Sequence, residues 1–151
     1  MDSRFDAKLF NLIPHRPPML LINRVLDIDE RSASSLVIID SESSFFEPTK
    51  GVPAWVGLEY MGQTAALIAG YQLQQGLIGP HLGFLLGTRA FKTQCDYFAA
   101  GYTLKVSCGE KIRVGDDLAT FDCLIEKFYE DTQDTKILAK ASLSVFRRPT
   151  K

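Results

Sequence analysis

Glu59 is the one Asp, Glu, Lys or Arg between Lys50 and Arg89. It falls about one and a half turns into a long apolar stretch, AWVGLEYMGQTAALIAGYQLQ over residues 54–74. Removing a lone carboxylate from water is costly unless it is paired or neutralised. Desolvation raises its pKa and keeps it protonated closer to neutral pH. A neutral carboxylic acid in a water-poor pocket is what general-acid catalysis needs. The competing reading is a Glu near a helix N-terminus, held by the helix dipole and facing solvent.

The only imidazoles are His15 and His81. His15 precedes Arg16 in a proline-locked loop and His81 follows Gly79-Pro80. A lone loop His is ordinarily solvated. No Ser/His/Asp arrangement is present. Two His without clustered carboxylates do not make a catalytic metal site. No G-x-G-x-x-G or P-loop occurs, so no nucleotide cofactor is indicated. Cys95, Cys108 and Cys123 are odd in number and lack zinc or C-x-x-C spacing, which points to a reducing compartment. The charged start of the chain is unlike a signal peptide, so a cytoplasmic location is expected. Net charge is −1, which excludes a strongly basic nucleic-acid binder. Arg89, Lys92, Arg147 and Arg148 are basic positions near strand ends; they are ordinary surface unless an acidic protein docks there.

The elements that position Glu59 follow from periodicity. A short amphipathic turn or helix over residues 7–13 ends at Pro14. Residues 19–29 and 33–40 read as a hairpin around a polar turn. Pro53 opens a helix over residues 54–74, apolar nearly all round and so buried on most sides. Its Glu and Gln residues argue against a membrane span. Residues 84–93 and alternating runs around 102–108, 119–125 and 139–145 read as antiparallel strands with one buried face. Turns are expected at residues 115–117 and 131–134. Two strands, one long helix and about four more strands imply a single α+β domain over residues 1–151. Its antiparallel sheet wraps around one central helix.

Two motifs, LIPHRPPMLLINRV over residues 12–25 and LEYMGQ over residues 58–63, resemble the 3-hydroxyacyl-acyl-carrier-protein dehydratases of fatty-acid synthesis. The former matches their L-P-H-R-x-P-x-L-L-V-D-R-V opening and the latter their L-E-A-M-A-Q helix. GTRAF over residues 87–91 is similar to their G-x-x-x-A-R-F strand, with a one-residue adjustment. GVPAWVGLEYMGQ and LGFLLGTRAF are nearest to a subgroup, the P-type dehydratase subunits of aryl-polyene pigment biosynthesis.

The resemblance implies a hotdog fold working as a homodimer or heterodimer with sites between subunits. It implies removal of water from a (3R)-3-hydroxyacyl thioester on acyl carrier protein, giving the trans-2-enoyl thioester with no cofactor. A His would take the α-proton and Glu59 would protonate the leaving hydroxyl. A backbone N–H near Ala54 or Trp55 would polarise the thioester carbonyl. Phe46, Tyr60, Gln63, Phe84, Leu86 and Gly87 would line the acyl tunnel, and Arg89 and Lys92 would receive the carrier protein.

One departure matters. Those enzymes carry the catalytic His in a G-H-F-P segment ahead of the Glu, and the same offset here lands on Phe45. Three assemblies stay open. His15 supplies the base; or a second hotdog subunit that bears the His and lacks the Glu completes a composite site; or the chain is a non-catalytic acyl-binding or structural subunit. Thioester hydrolysis on the same fold is the competing enzyme class.

Overall fold

The central helix is built from a sequence that few surfaces would tolerate exposed. In the computed structural model, a 3-10 turn (Ala54–Val56) leads straight into α2 (Gly57–Gln74). Pro53, at φ −54°, turns the chain into that helix. Gly76 ends it in the left-handed region (φ +73°), where the Leu77 N–H donates back to the Gln72 carbonyl at 2.9 Å. The structure describes residues 4–115, 117–129 and 135–150, and the side chains of Leu82 and Phe84 lie outside that description. So do Asp116 of the first expected turn and the whole turn expected at residues 131–134.

Six strands form one antiparallel sheet. They are β1 (Arg24–Ile28), β2 (Ser32–Ile38), β4 (His81–Thr93), β6 (Thr103–Val114), β7 (Leu118–Lys127) and β8 (Lys136–Pro149), in the order β1-β2-β6-β7-β8-β4. A two-stranded sheet joins β3 (Val52–Pro53) to β5 (Tyr97–Phe98) beside the helix entrance. The alternation expected from sequence sets the buried face. Ala33, Val37, Leu104, Val106, Phe121, Ile125, Ala139 and Leu143 all point at α2 and are buried. The sheet wraps the helix as expected, and α2 packs mainly on β2, β6 and α1 (Leu9–Leu12).

Two boundaries differ from expectation. The strand expected over residues 19–29 is regular only at Arg24–Ile28: Asn23 still bonds to β2, but Met19 and Leu21 bond to Gln63 of the helix. The N-terminal helix is the short α1 (Leu9–Leu12). Its carbonyl end abuts α2 at Gly70, where an added Cβ would lie 2.0 Å from the Leu12 carbonyl oxygen.

That contact generates a test. Alanine is favoured over glycine in a helix by about 1 kcal/mol, but at Gly70 the clash is with backbone. Gly70→Ala is expected to destabilise by about 1–3 kcal/mol in a denaturant melt. Gly62→Ala, whose Cβ meets only a Glu59 carboxylate oxygen at 3.9 Å, is expected to cost nothing or to stabilise.

Candidate active site

The helix is covered unevenly. Trp55, Leu58, Glu59, Gly62, Ala66, Ala69 and Leu73 are half-buried or exposed, whereas most residues between them are buried. At 100° per residue these positions fall on one face. The sheet covers the opposite side, and α1 with the segment that follows it covers a flank. A stripe of the central helix is therefore covered only in part by the described residues, and Glu59 sits on it.

Half-burial pushes the Glu59 carboxyl above the ordinary Glu range, with a smaller opposing pull from the Gln63 side chain one turn on. Gln63 is otherwise committed. Its Oε1 accepts the Leu21 N–H at 2.9 Å and its Nε2 donates to the Met19 carbonyl at 2.8 Å, with the residue fully buried. It was expected to line the acyl tunnel; instead it clamps residues 19–21 to the helix. The sequence hides this because an amide that reaches across a loop leaves no periodic signal.

His15 lies in that same segment. Arg16 folds the loop by donating to the carbonyls of Phe10, Ile13 and His15. His15 is half-buried, and desolvation, followed by the neighbouring Arg16 charge, lowers its pKa and favours the neutral imidazole. Its Nδ1 is sealed from solvent with no hydrogen-bond partner among the described residues. The segment touches α2 at Gly70 and Gln63, both C-terminal to Glu59. No hydrogen bond joins His15 to Glu59 among the described residues. His81, in contrast, opens β4 opposite Pro149 and contacts the Gly79 carbonyl at 3.2 Å.

The start of the helix departs from expectation in one respect. The Ala54 N–H is donated to the Asp96 carbonyl at 2.8 Å, so it is not free to polarise a thioester. Trp55 carries the next N–H of the turn, and its side chain is 61% exposed. The indole meets Phe45 edge-on, with ring centroids 5.7 Å apart. Phe45, at the offset where the related enzymes place His, holds φ +68°, a conformation that a bulky residue adopts only when its surroundings enforce it. Phe46 is half-buried beside it. The sequence marked the Phe45-Phe46 pair as apolar residues in a polar loop, but not the rim they form with Trp55.

Tyr60 faces away from Glu59. It is 2% exposed, packs on Phe98 and walls a cavity of about 250 Å³ between Pro17, Leu20 and Ser44. Leu86, Gly87, Arg89 and Lys92 are exposed on β4, whose far edge pairs with no strand among the described residues. Leu86 and Gly87 thus line an open edge rather than a tunnel enclosed within one chain. The Phe84 side chain lies outside the described residues.

A model of the ApeP-like family, described as ApeP dehydratase, matches residues 7–151. A curated relative, the 3-hydroxyacyl-[acyl-carrier-protein] dehydratase FabZ of Anaeromyxobacter dehalogenans, is 35% identical over 81 residues, 50% of this chain and 52% of the relative. The chain thus spans about half the length of the curated relatives it matches. Among solved structures, the dehydratase heterocomplex ApeI:P from Xenorhabdus doucetiae is similar with TM-score 0.80 and 21% identity, over 95% of this chain and 91% of that one. A thioesterase family protein from Silicibacter pomeroyi is similar with TM-score 0.69 and 8% identity, over 95% and 97% of the two chains. At these identities the structural likenesses establish the hotdog fold alone. Among the described residues, no helix is long and apolar enough to cross a membrane.

The Gln63 clamp is open to test. Gln63→Leu keeps the volume but strands the buried Leu21 N–H and releases the Met19 carbonyl. It is expected to lower stability by about 2–4 kcal/mol in a denaturant melt. A loss below about 0.5 kcal/mol would show that water replaces the amide there.

Proposed function

For a chain that belongs to the ApeP-like dehydratase family, we propose dehydration of a (3R)-3-hydroxyacyl thioester carried on acyl carrier protein, with Glu59 as general acid and the base supplied by a second hotdog subunit. One observation carries the reading. Glu59 is half-desolvated on the helix face that the described residues cover least, and no imidazole among them is bonded to it.

The chemistry follows from that placement. The base removes the α-proton, the C2–H electron pair becomes the C2=C3 double bond, and the C3–O bond breaks. Glu59 in its protonated form, which desolvation favours, gives its proton to the departing hydroxyl, which leaves as water. The Trp55 N–H at the helix entrance is the remaining candidate to stabilise the enolate oxygen. Elimination regenerates the site when the base passes its proton back to the Glu59 carboxylate.

The subunit that supplies the base docks on the stripe around Glu59 and along β4. Leu85 and Leu86 are 51% and 61% exposed there, beside an unpaired strand edge that proteins seldom leave bare. Such a subunit places its His opposite Glu59 while Phe45 fills the position this chain lacks. A base from the partner's copy of His15 is the remaining alternative, favoured by a neutral imidazole with an unbonded Nδ1.

The test is turnover of a 3-hydroxyacyl thioester of acyl carrier protein, read by mass. The purified chain is assayed alone and mixed with a hotdog subunit that bears the His and lacks the Glu. The mixture is expected to lose water from the substrate and the single chain is not. Glu59→Gln is expected to cut turnover by about 10²–10⁴, and His15→Ala to leave the mixture active. Turnover should fall as pH rises through the elevated Glu59 pKa. Activity in the chain alone that His15→Ala abolishes would assign the base to His15. Release of free thiol would replace dehydration with hydrolysis.

A further inference from the structure

The polar loop over residues 41–50 carries two adjacent phenylalanines, and the first is held in a conformation that does not suit it. Phe45 has φ +68°, a region that glycine enters freely and a bulky side chain does not. The loop enforces it from both sides. Before Phe45, the Ser43 N–H donates to the Asp40 carbonyl at 3.0 Å and the Ser44 hydroxyl donates to the Pro18 carbonyl at 2.7 Å. After it, the Phe46 N–H donates to the Ser43 carbonyl at 3.1 Å, and Glu47 and Gly51 exchange backbone hydrogen bonds at 2.7 and 2.9 Å. Strain of this kind persists where the surroundings over-determine it, and it clusters at functional positions.

What the loop presents is the ring. It meets Trp55 edge-on, with planes at 65°. Phe45 is 46% exposed and Trp55 61%, so neither ring is core packing. Trp55 lies in the turn that opens α2. In a helix both the first backbone N–H groups and the Cα–Cβ bonds lean toward the N-terminus. The indole and the Trp55 N–H therefore address the same space in front of the helix. Under the dehydratase reading that N–H meets the thioester oxygen, which sets the thioester carbon beside the two rings.

The chemistry there carries a hazard. Polarising the carbonyl makes the α-proton acidic, and it makes the thioester carbon electrophilic as well. Elimination then leaves a new water molecule in the site with an ionised Glu59, one turn further along the helix. A carboxylate can act as base toward that water. Water would add to the thioester carbon and the C–S bond would break. The sulfur would leave with a proton as free thiol, and the acyl group would be lost as its carboxylic acid. A water poised for that attack needs hydrogen-bond partners, and aromatic carbon offers it none.

We propose that Phe45 and Trp55 together cover the thioester carbon and determine the specificity of the reaction, keeping water off that carbon while elimination proceeds. The proposal rests on the dehydratase reading for its substrate and adds the role of the two rings. It accounts for a phenylalanine kept at φ +68°, where glycine would sit without strain.

The test is the product ratio in the mixture of this chain with a His-bearing hotdog subunit, supplied with a 3-hydroxyacyl thioester of acyl carrier protein. Mass spectrometry counts enoyl thioester and free acid, and a thiol-reactive dye counts released carrier thiol. Phe45→Gly removes the ring and the strain together, so circular dichroism is expected to show an intact fold. Phe45→Gly and Trp55→Ala are each expected to raise the ratio of free acid to enoyl thioester about tenfold. Trp55→Phe, which keeps an aromatic cover, is expected to stay within about twofold of the parent. An unchanged ratio in Phe45→Gly and Trp55→Ala, with enoyl product still formed, overturns the cover and leaves the dehydratase reading standing. Intact substrate with the parent, and free acid with those two variants alone, overturns the dehydratase reading and leaves the cover standing. Free acid as the parent's main product, or intact substrate throughout, overturns both.

Discussion

Everything in this protein is arranged around a carboxyl group kept half out of water. The sheet, α1 and the segment clamped by Gln63 cover the central helix on all sides but one. Glu59 lies on that one side, where partial desolvation raises its pKa while the residue is not fully buried. Burial inside the sheet would hide the acid from any substrate, and full exposure would return it to an ordinary carboxylate. The partial burial is the source of the shifted pKa, and the stripe is where the proposed second subunit would dock. A partner that covers it removes more water and strengthens the effect on the same residue.

The parts that hold this geometry are backbone contacts as much as hydrophobic ones. Gly70 lets the end of α1 touch the helix, and Gly51, at φ +114°, fits against the Phe98 carbonyl beside the helix entrance. Gln63 bonds two main-chain groups of the segment that leads out of the proline loop. These contacts fix the flank next to Glu59 and leave the stripe untouched. Phe45, strained and stacked edge-on against Trp55, closes one end of the same surface with an apolar rim.

The fold was legible in the sequence because its core depends on simple periods. Alternation in β6, β7 and β8 matched the buried residues, and the long Ala- and Leu-rich run became the 3-10 turn and α2 within its expected limits. Glu59 stood out because a single charge in an apolar run is rare. The roles of its neighbours were less legible. Gln63 looks like a lining residue in one dimension, but long-range hydrogen bonding turned it toward the chain's own structure. The Ala54 N–H was lost to Asp96, a partner more than forty residues away in sequence that no local pattern reveals. Leu86 and Gly87 of β4 lie on an edge strand, which the sequence alone did not identify as the end of the sheet. The proline loop was recognisable, yet its motif did not tell on which side of Glu59 His15 would rest.

The most direct measurement is the titration of Glu59 itself, followed through its ¹³C-labelled carboxyl by NMR, with Glu59→Gln to assign the signal. Desolvation on the bare helix face requires a midpoint above the ordinary value of 4.5, and a further rise when a partner subunit covers the stripe. A midpoint at or below 4.5, unmoved by assembly, would mean that Glu59 is a solvated, ionised carboxylate near neutral pH. It could not then be the acid on which this account rests.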